Sequence, residues 1–343
     1  MTETVTNDAL YDGTNQIIVD VRSPGEYKEN HIYHAINIPL FTDEERAAIG
    51  TAYKKQSTFK AKKLGLSFIS YKIESIGHEL LDLNKKYDRV IIYCQKGGMR
   101  SQSICDLMNA LDIGVFKLEG GMKGHRQYIL DETSKLLAKK TFVTLHGLTG
   151  VGKTKILEGI KAKGLSILNY EKMAQNAGSV FGTILFRGHP PTQKFFEEEL
   201  FYLTKTSPSP YIFIESESKR VGGILIPDEY MNQLEIGKHI IVETNLDKRI
   251  ENLIEDYVVI NGHEDLIAAI NKLRKRISND KADELIEYIK NDTLEPLVQF
   301  LLVDYYDPLY QYSINQYKYD YKINYKDINE AIEEIVDIYQ KGI

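Results

Sequence analysis

Short apolar runs alternate with amphipathic stretches along the first part of the chain. QIIVDVR (16–22), RVIIYC (89–94) and VFKLEGG (115–121) are rich in β-branched residues and end in polar residues or glycine, as buried strands do. SPGEYKENHI (23–32) opens with a Ser-Pro helix start, and SQSICDLMNALDI (101–113) has helical periodicity. This alternation predicts a mostly parallel sheet, whose ligands bind beyond the carboxyl ends of the strands.

A second unit of the same kind begins at the strand FVTLHG, after a charged, linker-like stretch at 131–141. The patterns predict strands at 142–147, 210–216 and 237–244 and helices at 246–258, 263–277 and 281–302. The chain of 343 residues is long enough for two domains of about 150 residues each. We therefore predict two α/β domains, 1–138 and 139–343, the second with a helical C-terminal region.

The formal net charge of −6 argues against a nucleic-acid-binding protein whose whole surface is basic. A local basic patch exists, because residues 47–72 contain six lysines and no acid. Five of them are candidates for contact with a nucleic-acid phosphate backbone, although a solvated face explains them equally: Lys54, Lys55, Lys60, Lys62 and Lys63. The run Arg274–Arg276 is a second candidate.

The remaining bulk features indicate a cytoplasmic protein without a membrane partner. No apolar run approaches the roughly 20 residues that a membrane helix needs. The polar, acidic start MTETVTNDALYDG predicts neither a signal nor a transit peptide. Cys94 and Cys105 are too few for a disulfide framework or a zinc site, which favours a reducing compartment.

Cys94 ends a predicted strand and precedes a predicted helix, which makes it a candidate nucleophile. Backbone N–H groups at that helix N-terminus can surround an anion, and a nearby positive potential stabilises a thiolate. Gly97 and Gly98 permit the backbone conformation, and Arg100 adds a fixed cation. The predicted anion-binding loop consists of Gln95, Lys96, Gly97, Gly98 and Met99. A purely structural cysteine is the alternative, and it fits Cys105 in the middle of the helix better.

GLTGVGKT (147–154) matches the Walker A pattern and lies between a predicted strand and the helix KILEGIKAKG. Its backbone amides would hold a diphosphate, Lys153 would neutralise the oxygens, and Thr154 could ligate Mg²⁺, with no other metal site predicted. The predicted diphosphate-binding residues are Gly147, Thr149, Gly150, Gly152, Lys153 and Thr154.

The strand YIFIES and the polar stretch 186–200 are candidates to supply side chains that act together with the Walker A loop. Glu215 and Glu217 stand where a second acidic motif would lie, although they also fit as ordinary strand-end carboxylates. Arg220 could face the phosphates. The polar stretch is a candidate substrate lid with four chemically active side chains, Arg187, His189, Gln193 and Lys194.

Three segments resemble the rhodanese superfamily: DVRSPGEYKENHIYHAINIPL (20–40), YCQKGGMRS (93–101) and LEGGMKGHR (118–126). The resemblance implies a cysteine that carries a persulfide, with structural roles for Asp20 and His31. The loop is C-x5-R, longer than in most single-domain sulfurtransferases and similar to that of rhodanese-like phosphatases. A chalcogen carrier and a cysteine phosphatase both remain open at this point.

The order of the two motifs resembles the bacterial tRNA 2-selenouridine synthase family. The likeness also covers EERAAIGTAYKKQSTFKAKKLG (44–65), ESESKRVGGILIP (215–227) and YYDPLY (305–310). It implies a rhodanese-like parallel-sheet domain followed by a P-loop NTPase-like α/β domain with a helical C-terminal part. The Glu-Ser-Glu-Ser run at 215–218 replaces an expected D-E-S-like triplet, and His-Pro-Pro is added at 189–191.

The family resemblance implies that tRNA is geranylated on its wobble 2-thiouridine by geranyl diphosphate, and that selenium from selenophosphate then replaces the geranylated sulfur. It implies no tightly bound cofactor, Mg²⁺ as a candidate, and a selenophosphate-producing enzyme as a candidate partner. Lys153 and its loop would hold the geranyl diphosphate. Cys94 would attack selenophosphate or receive selenium as a perselenide, with Arg100 balancing the charge. Some tyrosines of 305–325 could stack on the base, although packing suits most of them better.

Two other functions fit parts of the sequence. An ATP-coupled persulfide sulfurtransferase acting on RNA would use the Walker A loop for a nucleotide. A phosphatase or a phosphate-binding module without catalysis would use the Cys94 loop alone, but no general acid is evident near it.

Overall fold

The computed structural model describes residues 2–176, 186, 190–258 and 262–343. The chain forms two compact units. Unit 1 comprises Met1–Lys135 and Thr192–Thr206, and unit 2 comprises Leu136–Pro191 and Ser207–Ile343. The chain therefore enters unit 1 twice.

The elements up to residue 137 follow the predicted alternation. They are β1 (Thr4–Val5), a 3-10 helix (Asn7–Tyr11), β2 (Gln16–Asp20), α1 (Pro24–Glu29), β3 (Ile36–Asn37), α2 (Asp43–Lys55), α3 (Thr58–Ile69), α4 (Ile73–Asn84), β4 (Arg89–Tyr93), α5 (Met99–Ala110), β5 (Val115–Leu118) and α6 (Gly121–Leu137).

The elements after residue 137 contain a second parallel sheet and most of the helices. They are β6 (Thr141–His146), α7 (Lys153–Ala162), β7 (Ile167–Leu168), α8 (Tyr170–Ala174), α9 (Gln193–Thr206), β8 (Tyr211–Glu215), β9 (Arg220–Val221), β10 (Ile224–Leu225), α10 (Asp228–Ile236), β11 (Lys238–Glu243), α11 (Leu246–Val258), α12 (His263–Ile277), α13 (Asn279–Lys290), α14 (Leu294–Phe300), a π-helix (Leu301–Tyr306), α15 (Asp307–Ile314), β12 (Tyr321–Asn324) and α16 (Ile328–Gln340).

Unit 1 is built on a parallel sheet with the strand order β1-β5-β4-β2-β3. β4 lies at its centre, with Ile17 of β2 opposite Val90 and Phe116 of β5 opposite Ile91. The residues from Val90 to Tyr93 are fully buried, as expected for a strand covered by helices on both faces. The central strand therefore delivers Cys94, the next residue, to the middle of the carboxyl edge.

Unit 2 has a parallel sheet with the order β12-β11-β6-β8-β7. β6 is central, with β8 on one side and β11 on the other, so the direction of strand addition changes beside β6. Ligands of open α/β sheets bind at such a switch point, beyond the carboxyl ends of the strands. The loop that follows β6 is the predicted Walker A loop. The predicted fold class, two α/β units with a helical C-terminal part, is confirmed.

Three local predictions need correction or refinement. Residues 131–137 form the last turns of α6 rather than a linker, because Leu136 and Leu137 continue its apolar pattern. The helix predicted over 281–302 is interrupted after Lys290, where Asp292 adopts a left-handed conformation (φ 54°) and Pro296 enters the first turn of α14. The helix α9, assigned to the second domain by the sequence analysis, packs within unit 1.

The contacts of α9 explain its assignment to unit 1. Glu198, which is 1% exposed, accepts hydrogen bonds from the Tyr33 backbone N–H and from His125 Nε2 at 2.9 Å. At the start of the helix, the Thr192 hydroxyl donates to the Glu29 carbonyl oxygen at 2.6 Å. A buried carboxylate needs such partners, so these contacts fix the helix in place.

The tyrosines of 305–325 differ widely in burial, and fewer of them are buried than the prediction of packing for most of them requires. Tyr305, Tyr306 and Tyr325 are buried, whereas Tyr312 is 77% exposed. Within the described ranges, the helices lack the combination of length and apolarity that crossing a membrane requires.

Candidate functional site

The Cys94 side chain lies between the end of β4 and the start of α5, as the sequence predicted. Its Sγ is 3.2 Å from the Ser101 hydroxyl and 3.9 Å from the Gly98 carbonyl oxygen. Ser101, in the first turn of α5, is fully buried, and its hydroxyl also lies 3.3 Å from the Gly98 carbonyl oxygen. The hydroxyl is thus positioned to donate to the sulfur once the thiol is ionised.

The loop is held from below by the glycine turn that precedes α6. The Met122 N–H donates to the Cys94 carbonyl oxygen and the Lys123 N–H to the Gln95 carbonyl oxygen, both at 2.9 Å. Gly97 (φ 61°) and Gly121 (φ 55°) are left-handed, and a Cβ on Gly121 would collide with the Cys94 carbonyl oxygen. The segment LEGGMKGHR therefore acts as the support of the loop.

Ionisation of Cys94 is favoured by this environment. Burial opposes the thiolate, but the hydrogen bonds from Ser101 and the Lys96 N–H and the charge of Arg100 outweigh it and lower the pKa of Cys94 below its ordinary value. Cys105 shows the contrast: burial in the core raises its pKa to about 12. The prediction that Cys105 serves packing agrees with its complete burial.

Arg100 is anchored by an ion pair that the sequence analysis missed. Its guanidinium donates to both carboxylate oxygens of Glu26 in α1, with Nη1 at 2.6 Å from Oε2, and Arg46 of α2 lies 3.5 Å from the same Oε2. Burial raises the pKa of Glu26, but the pair with Arg100 prevails and lowers it to about 2. Arg100 is thus held at the loop with one acid shared between two arginines.

A second buried pair holds the loop from the side of β2. Asp20 is fully buried and accepts from Arg22 Nη2 at 2.7 Å, while Arg22 Nη1 donates to the Gln95 amide oxygen at 3.1 Å. The Arg22 guanidinium also donates to the Asn30 carbonyl oxygen. His31 stacks on Tyr27 and binds its carbonyl oxygen, which agrees with the structural roles inferred for Asp20 and His31.

The Walker A loop of unit 2 has the expected conformation between β6 and α7. Gly150 and Gly152 are left-handed (φ 83° and 67°), and a Cβ on Gly150 would lie 2.9 Å from the Arg249 carbonyl oxygen. The Lys153 ammonium donates to the Gly147 carbonyl oxygen at 3.0 Å. The chain ahead of α7 thus folds as a diphosphate-binding loop does.

Three side chains bind successive carbonyl oxygens of this loop. Arg249 Nε donates to Thr149 at 2.9 Å, Asn252 Nδ2 to Gly150 at 2.8 Å, and the Tyr325 hydroxyl to Val151 at 3.0 Å. Holding these three carbonyls fixes the orientation of the peptide groups that would face an anion, while the Val151 N–H itself donates to the Leu148 carbonyl oxygen at 3.3 Å. We call Arg249, Asn252 and Tyr325 the carbonyl clamp.

The carbonyl clamp is itself fixed by the segment YYDPLY. Asp307 in this segment accepts from Arg249 Nη1 at 2.9 Å and pairs with Nη2 at 2.5 Å. The Tyr325 hydroxyl also accepts from Asn252 at 3.2 Å. Arg249 is 6% exposed, so its charge is satisfied by Asp307 and its remaining donor serves the loop.

A buried carboxylate lies beside Thr154. The Thr154 hydroxyl donates to Glu215 at 3.1 Å, and Glu215 is 3% exposed. Burial and the nearby charge of Glu171 raise the pKa of Glu215 to about 7, with Lys153 acting against them. The same causes, with Glu215 itself, raise the pKa of Glu217 to about 8.

These oxygens suit Mg²⁺, which binds through one or two protein ligands together with substrate phosphates. Among the described residues, no cluster of three or more His, Cys, Asp or Glu side chains is arranged to hold a metal. The site therefore fits a cation that arrives with a diphosphate, held through Thr154 and Glu215.

A crevice of about 390 Å³ opens next to the Walker A loop, at the switch point between β6 and β11. Its wall combines Leu148 and Val151 of the loop with Asn245, Arg249 and Gln311. The substituent of a bound diphosphate would have space here.

The other predicted residues are less engaged. Arg220 is exposed at β9, and Arg187 and His189 lie outside the described residues. Gln193 and Lys194 belong to α9 in unit 1, where Lys194 pairs with Glu29 at 2.7 Å, so they do not form part of the Walker A unit.

Of Arg274–Arg276, Arg274 pairs with Asp283 at 2.6 Å and Arg276 donates to the Tyr305 hydroxyl at 2.8 Å. The five lysines of the basic patch are all exposed.

Sequence reasoning missed Ser101, Glu26 and the carbonyl clamp. Glu26 lies inside the rhodanese-like signature, and Asp307 inside YYDPLY, so these stretches held the signal. Nothing in the local sequence marks Asn252, because its partner Gly150 is 102 residues away.

Comparison with known proteins agrees with both loops. A family model described as the tRNA 2-selenouridine synthase AAA domain matches residues 140–341, and a rhodanese-like domain model matches residues 5–127. A tRNA 2-selenouridine synthase from Nitrosomonas europaea is 31% identical over 247 residues, covering 71% of this chain and 63% of that protein. Another, from Sulfurovum sp. strain NBC37-1, is 31% identical over 254 residues, covering 73% of this chain and 68% of its own length.

Among solved structures, the N-terminal domain of a Clostridium difficile 630 protein is 41% identical, with a TM-score of 0.37, and covers 37% of this chain and 99% of its own. The match to the Nitrosomonas europaea protein spans 63% of that relative's length. The family model covers more than half of the chain and contains the Walker A loop, Glu215 and the carbonyl clamp. The chain therefore belongs to the tRNA 2-selenouridine synthase family.

Proposed function

We propose that this chain replaces the sulfur of tRNA wobble 2-thiouridine with selenium in two steps, one at each anion-binding loop. The observation that supports this most directly is the pairing of two such loops in one chain. One holds a cysteine whose pKa is lowered by its surroundings, and the other has the conformation of a diphosphate site. The first suits transfer from a phosphate-like donor, and the second suits departure of a diphosphate.

In the first step, the sulfur of 2-thiouridine attacks the allylic carbon of geranyl diphosphate. A C–S bond forms, the C–O bond breaks, and its electron pair leaves with the diphosphate. Lys153 and the loop amides stabilise the charge that develops on the leaving oxygens. When bound, Mg²⁺ would supply further charge stabilisation, and Thr154 and Glu215 would hold it. The crevice beside Leu148 is the proposed position of the geranyl chain.

In the second step, the Cys94 loop binds selenophosphate through the amides between Gln95 and Arg100. The Cys94 thiolate attacks phosphorus, so that an S–P bond forms, the P–Se bond breaks, and hydrogen selenide leaves. Selenide attacks C2 of the base and expels the geranyl thiolate, and water hydrolyses the cysteinyl phosphate. We prefer this route to a Cys94 perselenide because selenium in selenophosphate is already at the selenide level, so a perselenide would require an oxidant.

The proposed setting is the cytoplasm, with tRNA as the substrate and a selenophosphate-producing enzyme as the supplier of selenium. The second candidate is the ATP-coupled persulfide sulfurtransferase. It is favoured by the Thr154–Glu215 contact, which would suit a nucleotide with Mg²⁺ as well as geranyl diphosphate.

The test uses purified full-length protein and tRNA that contains 2-thiouridine. Nucleosides are analysed by mass spectrometry after incubation with geranyl diphosphate, and again after selenophosphate is added. We expect a geranylated nucleoside first and 2-selenouridine second. Lys153→Ala should lose the first product by about 100- to 1000-fold, and Cys94→Ser should form the first product but not the second.

Matched controls lie close by in the chain. Lys155→Ala removes a lysine whose ammonium pairs with Glu255 rather than facing the loop, and Cys105→Ala removes the packing cysteine. Both should retain both products. Absence of geranylated and selenated nucleosides, with ATP consumed in a Lys153-dependent manner, would contradict the proposal and support the sulfurtransferase.

A further inference from the structure

The helices α2 and α3 form a hairpin whose connecting end is unusually basic. We call residues 53–63 the hairpin tip; they read YKKQSTFKAKK. The tip carries five exposed lysines, Lys54, Lys55, Lys60, Lys62 and Lys63. Its acidic residues lie at the opposite end of α2, in the first turn, at Asp43, Glu44 and Glu45. The positive charge is therefore local, on a chain whose formal net charge is −6.

Two aromatic side chains are interleaved with these lysines and face solvent. Phe59 is 76% exposed and Tyr53 is 62% exposed. The hairpin does not need them for packing, because Ala52, Ala61 and Gly65 are buried on its inner face and fill the contact between the helices. Leaving a Phe exposed forgoes about 1.5–3 kcal/mol of burial. Exposed aromatic surface of this kind marks an interaction site.

The combination of charge and ring shape identifies the partner. Lysines in a segment of sequence without acids attract a polyanion, and flat aromatic rings suit bases that are free to stack. Duplex nucleic acid would offer phosphates to the lysines, but the aromatic rings could not stack on its bases, because these already stack on each other. An acidic peptide would satisfy the lysines but offers no planar bases. Unpaired RNA satisfies both features.

The tip is connected to the Cys94 loop through α2. Arg46 of α2 and Arg100 of the loop share the carboxylate of Glu26. Lys54 lies eight residues further along the helix, which corresponds to about 12 Å at 1.5 Å per residue. Asp43, in the first turn, fixes the base of the hairpin by accepting the Gly25 N–H at 2.9 Å. RNA held at the tip would therefore be close to the thiolate.

We propose that the hairpin tip binds unpaired nucleotides of the RNA substrate, with Phe59 and Tyr53 stacking on bases and the lysines contacting phosphates. This inference rests on the proposed function only in taking RNA as the substrate. It assigns to the aromatic residues a role in affinity that is separate from the chemistry at Cys94.

The experiment measures the dissociation constant of the full-length protein for a labelled anticodon stem-loop RNA over a series of salt concentrations. A blunt duplex RNA of equal length and a poly-glutamate peptide serve as competing ligands. Phe59→Ala should weaken stem-loop binding by about 5- to 100-fold without changing the salt dependence. The double variant Lys54→Ala/Lys55→Ala should reduce the slope of log K against log salt by about 1.4.

Two further variants separate stacking from folding. Phe59→Tyr keeps the ring and should restore the wild-type affinity, whereas Leu66→Ala removes an apolar side chain of α3 that is 69% exposed but lies outside the tip, and should change it less than twofold. Equal affinities for Phe59→Ala and Leu66→Ala would overturn the stacking proposal and leave the proposed function intact. Preference for duplex or for poly-glutamate would also overturn it. Wild-type protein that binds no RNA would overturn the proposed function as well.

Discussion

The two anion-binding loops share one design and differ in how their charges are satisfied. Each follows the central strand of a parallel sheet and precedes a helix, with at least one left-handed glycine between. In unit 1 the loop cation, Arg100, is paired with Glu26, whose pKa falls to about 2 although burial opposes this. In unit 2 the carboxyl group beside the loop, Glu215, is buried, and burial together with the charge of Glu171 outweighs the attraction of Lys153, so its pKa rises to about 7.

The difference shows which loop has its charged groups paired before a ligand binds. The Cys94 loop has its cation, its counter-charge and its hydroxyl donor in place. The Walker A loop has a rigid backbone, held by the carbonyl clamp, but a carboxylate that favours an added positive charge. We expect unit 1 to respond mainly to steric changes and unit 2 mainly to pH, cations and anions.

The largest effect is expected from Gly121→Ala. The new Cβ would meet the Cys94 carbonyl oxygen in a left-handed backbone position, so the variant should lose about 3 kcal/mol of unfolding free energy in unit 1. Thermal unfolding by circular dichroism measures this. Gly98→Ala is the matched control, because nothing lies within 4 Å of its Cβ, and it should change stability by less than about 0.5 kcal/mol. A loss for Gly121→Ala as small as that for Gly98→Ala would show that the Cys94 loop tolerates a shift of the glycine turn that supports it.

The second effect concerns Glu215→Gln and pH. A carboxyl group whose pKa is raised in the folded state binds extra protons there, so stability falls as pH rises from its ordinary value of 4.5 toward about 7. Without divalent cations, the variant should therefore be more stable than the wild type at pH 8, by about 1–3 kcal/mol, and equal to it near pH 4. Denaturant unfolding followed at several pH values tests this, with Glu251→Gln on the exposed side of α11 as the control. A difference between the wild type and Glu215→Gln that stays constant over this range would contradict the contrast with Glu26, because the other titrating groups are common to both proteins.

A smaller effect is expected from Asn252→Ala in the carbonyl clamp. The Gly150 carbonyl oxygen and the Tyr325 hydroxyl would each lose their Asn252 donor, and the loop amides would be less well oriented. Affinity for inorganic pyrophosphate, measured by calorimetry, should fall about 3- to 10-fold. Lys248 lies on the same helix and pairs with Glu251, so Lys248→Ala should leave the affinity unchanged. Equal affinities would mean that the loop keeps its shape without the clamp.

The smallest effect is expected from Ser101→Ala. Removing the hydroxyl takes away one of the contributions that lower the pKa of Cys94, so ionisation should shift toward higher pH. The pH dependence of Cys94 alkylation by iodoacetamide reports this directly. The Ser103 hydroxyl donates to the Arg100 carbonyl oxygen at 3.2 Å, so Ser103→Ala should leave the alkylation profile unchanged. A shift toward lower pH in Ser101→Ala would show that burial of the thiol, rather than the Ser101 hydrogen bond, controls the pKa of Cys94.

Sequence reasoning located both loops because strand patterns end at recognisable chemistry. Apolar runs ending at Tyr93 and His146 placed Cys94 and the Walker A loop at the carboxyl edges of parallel strands, where the structure has them. The Ser-Pro start likewise predicted α1, which begins at Pro24 with a capping box between Ser23 and Glu26.

The supporting groups could not be predicted, because they depend on contacts between distant segments. Glu26 meets Arg100 across 74 residues, and the Tyr325 hydroxyl meets the Val151 carbonyl across 174. The pattern of α9 predicted a helix but carried no information on its unit, since the decisive partner of Glu198 is a single histidine, His125. The interruption at Asp292 was missed for a local reason: one left-handed residue ends a helix without disturbing its apolar period.

The return of α9 to unit 1 has a consequence for inheritance. A recombination event that joined residues 1–135 to a new partner would leave α9 behind, and His125 would lose the carboxylate that faces it. An exchange that kept the whole of unit 1 would need two additional breakpoints, one between residues 191 and 192 and one between residues 206 and 207. The two units are therefore expected to be inherited together.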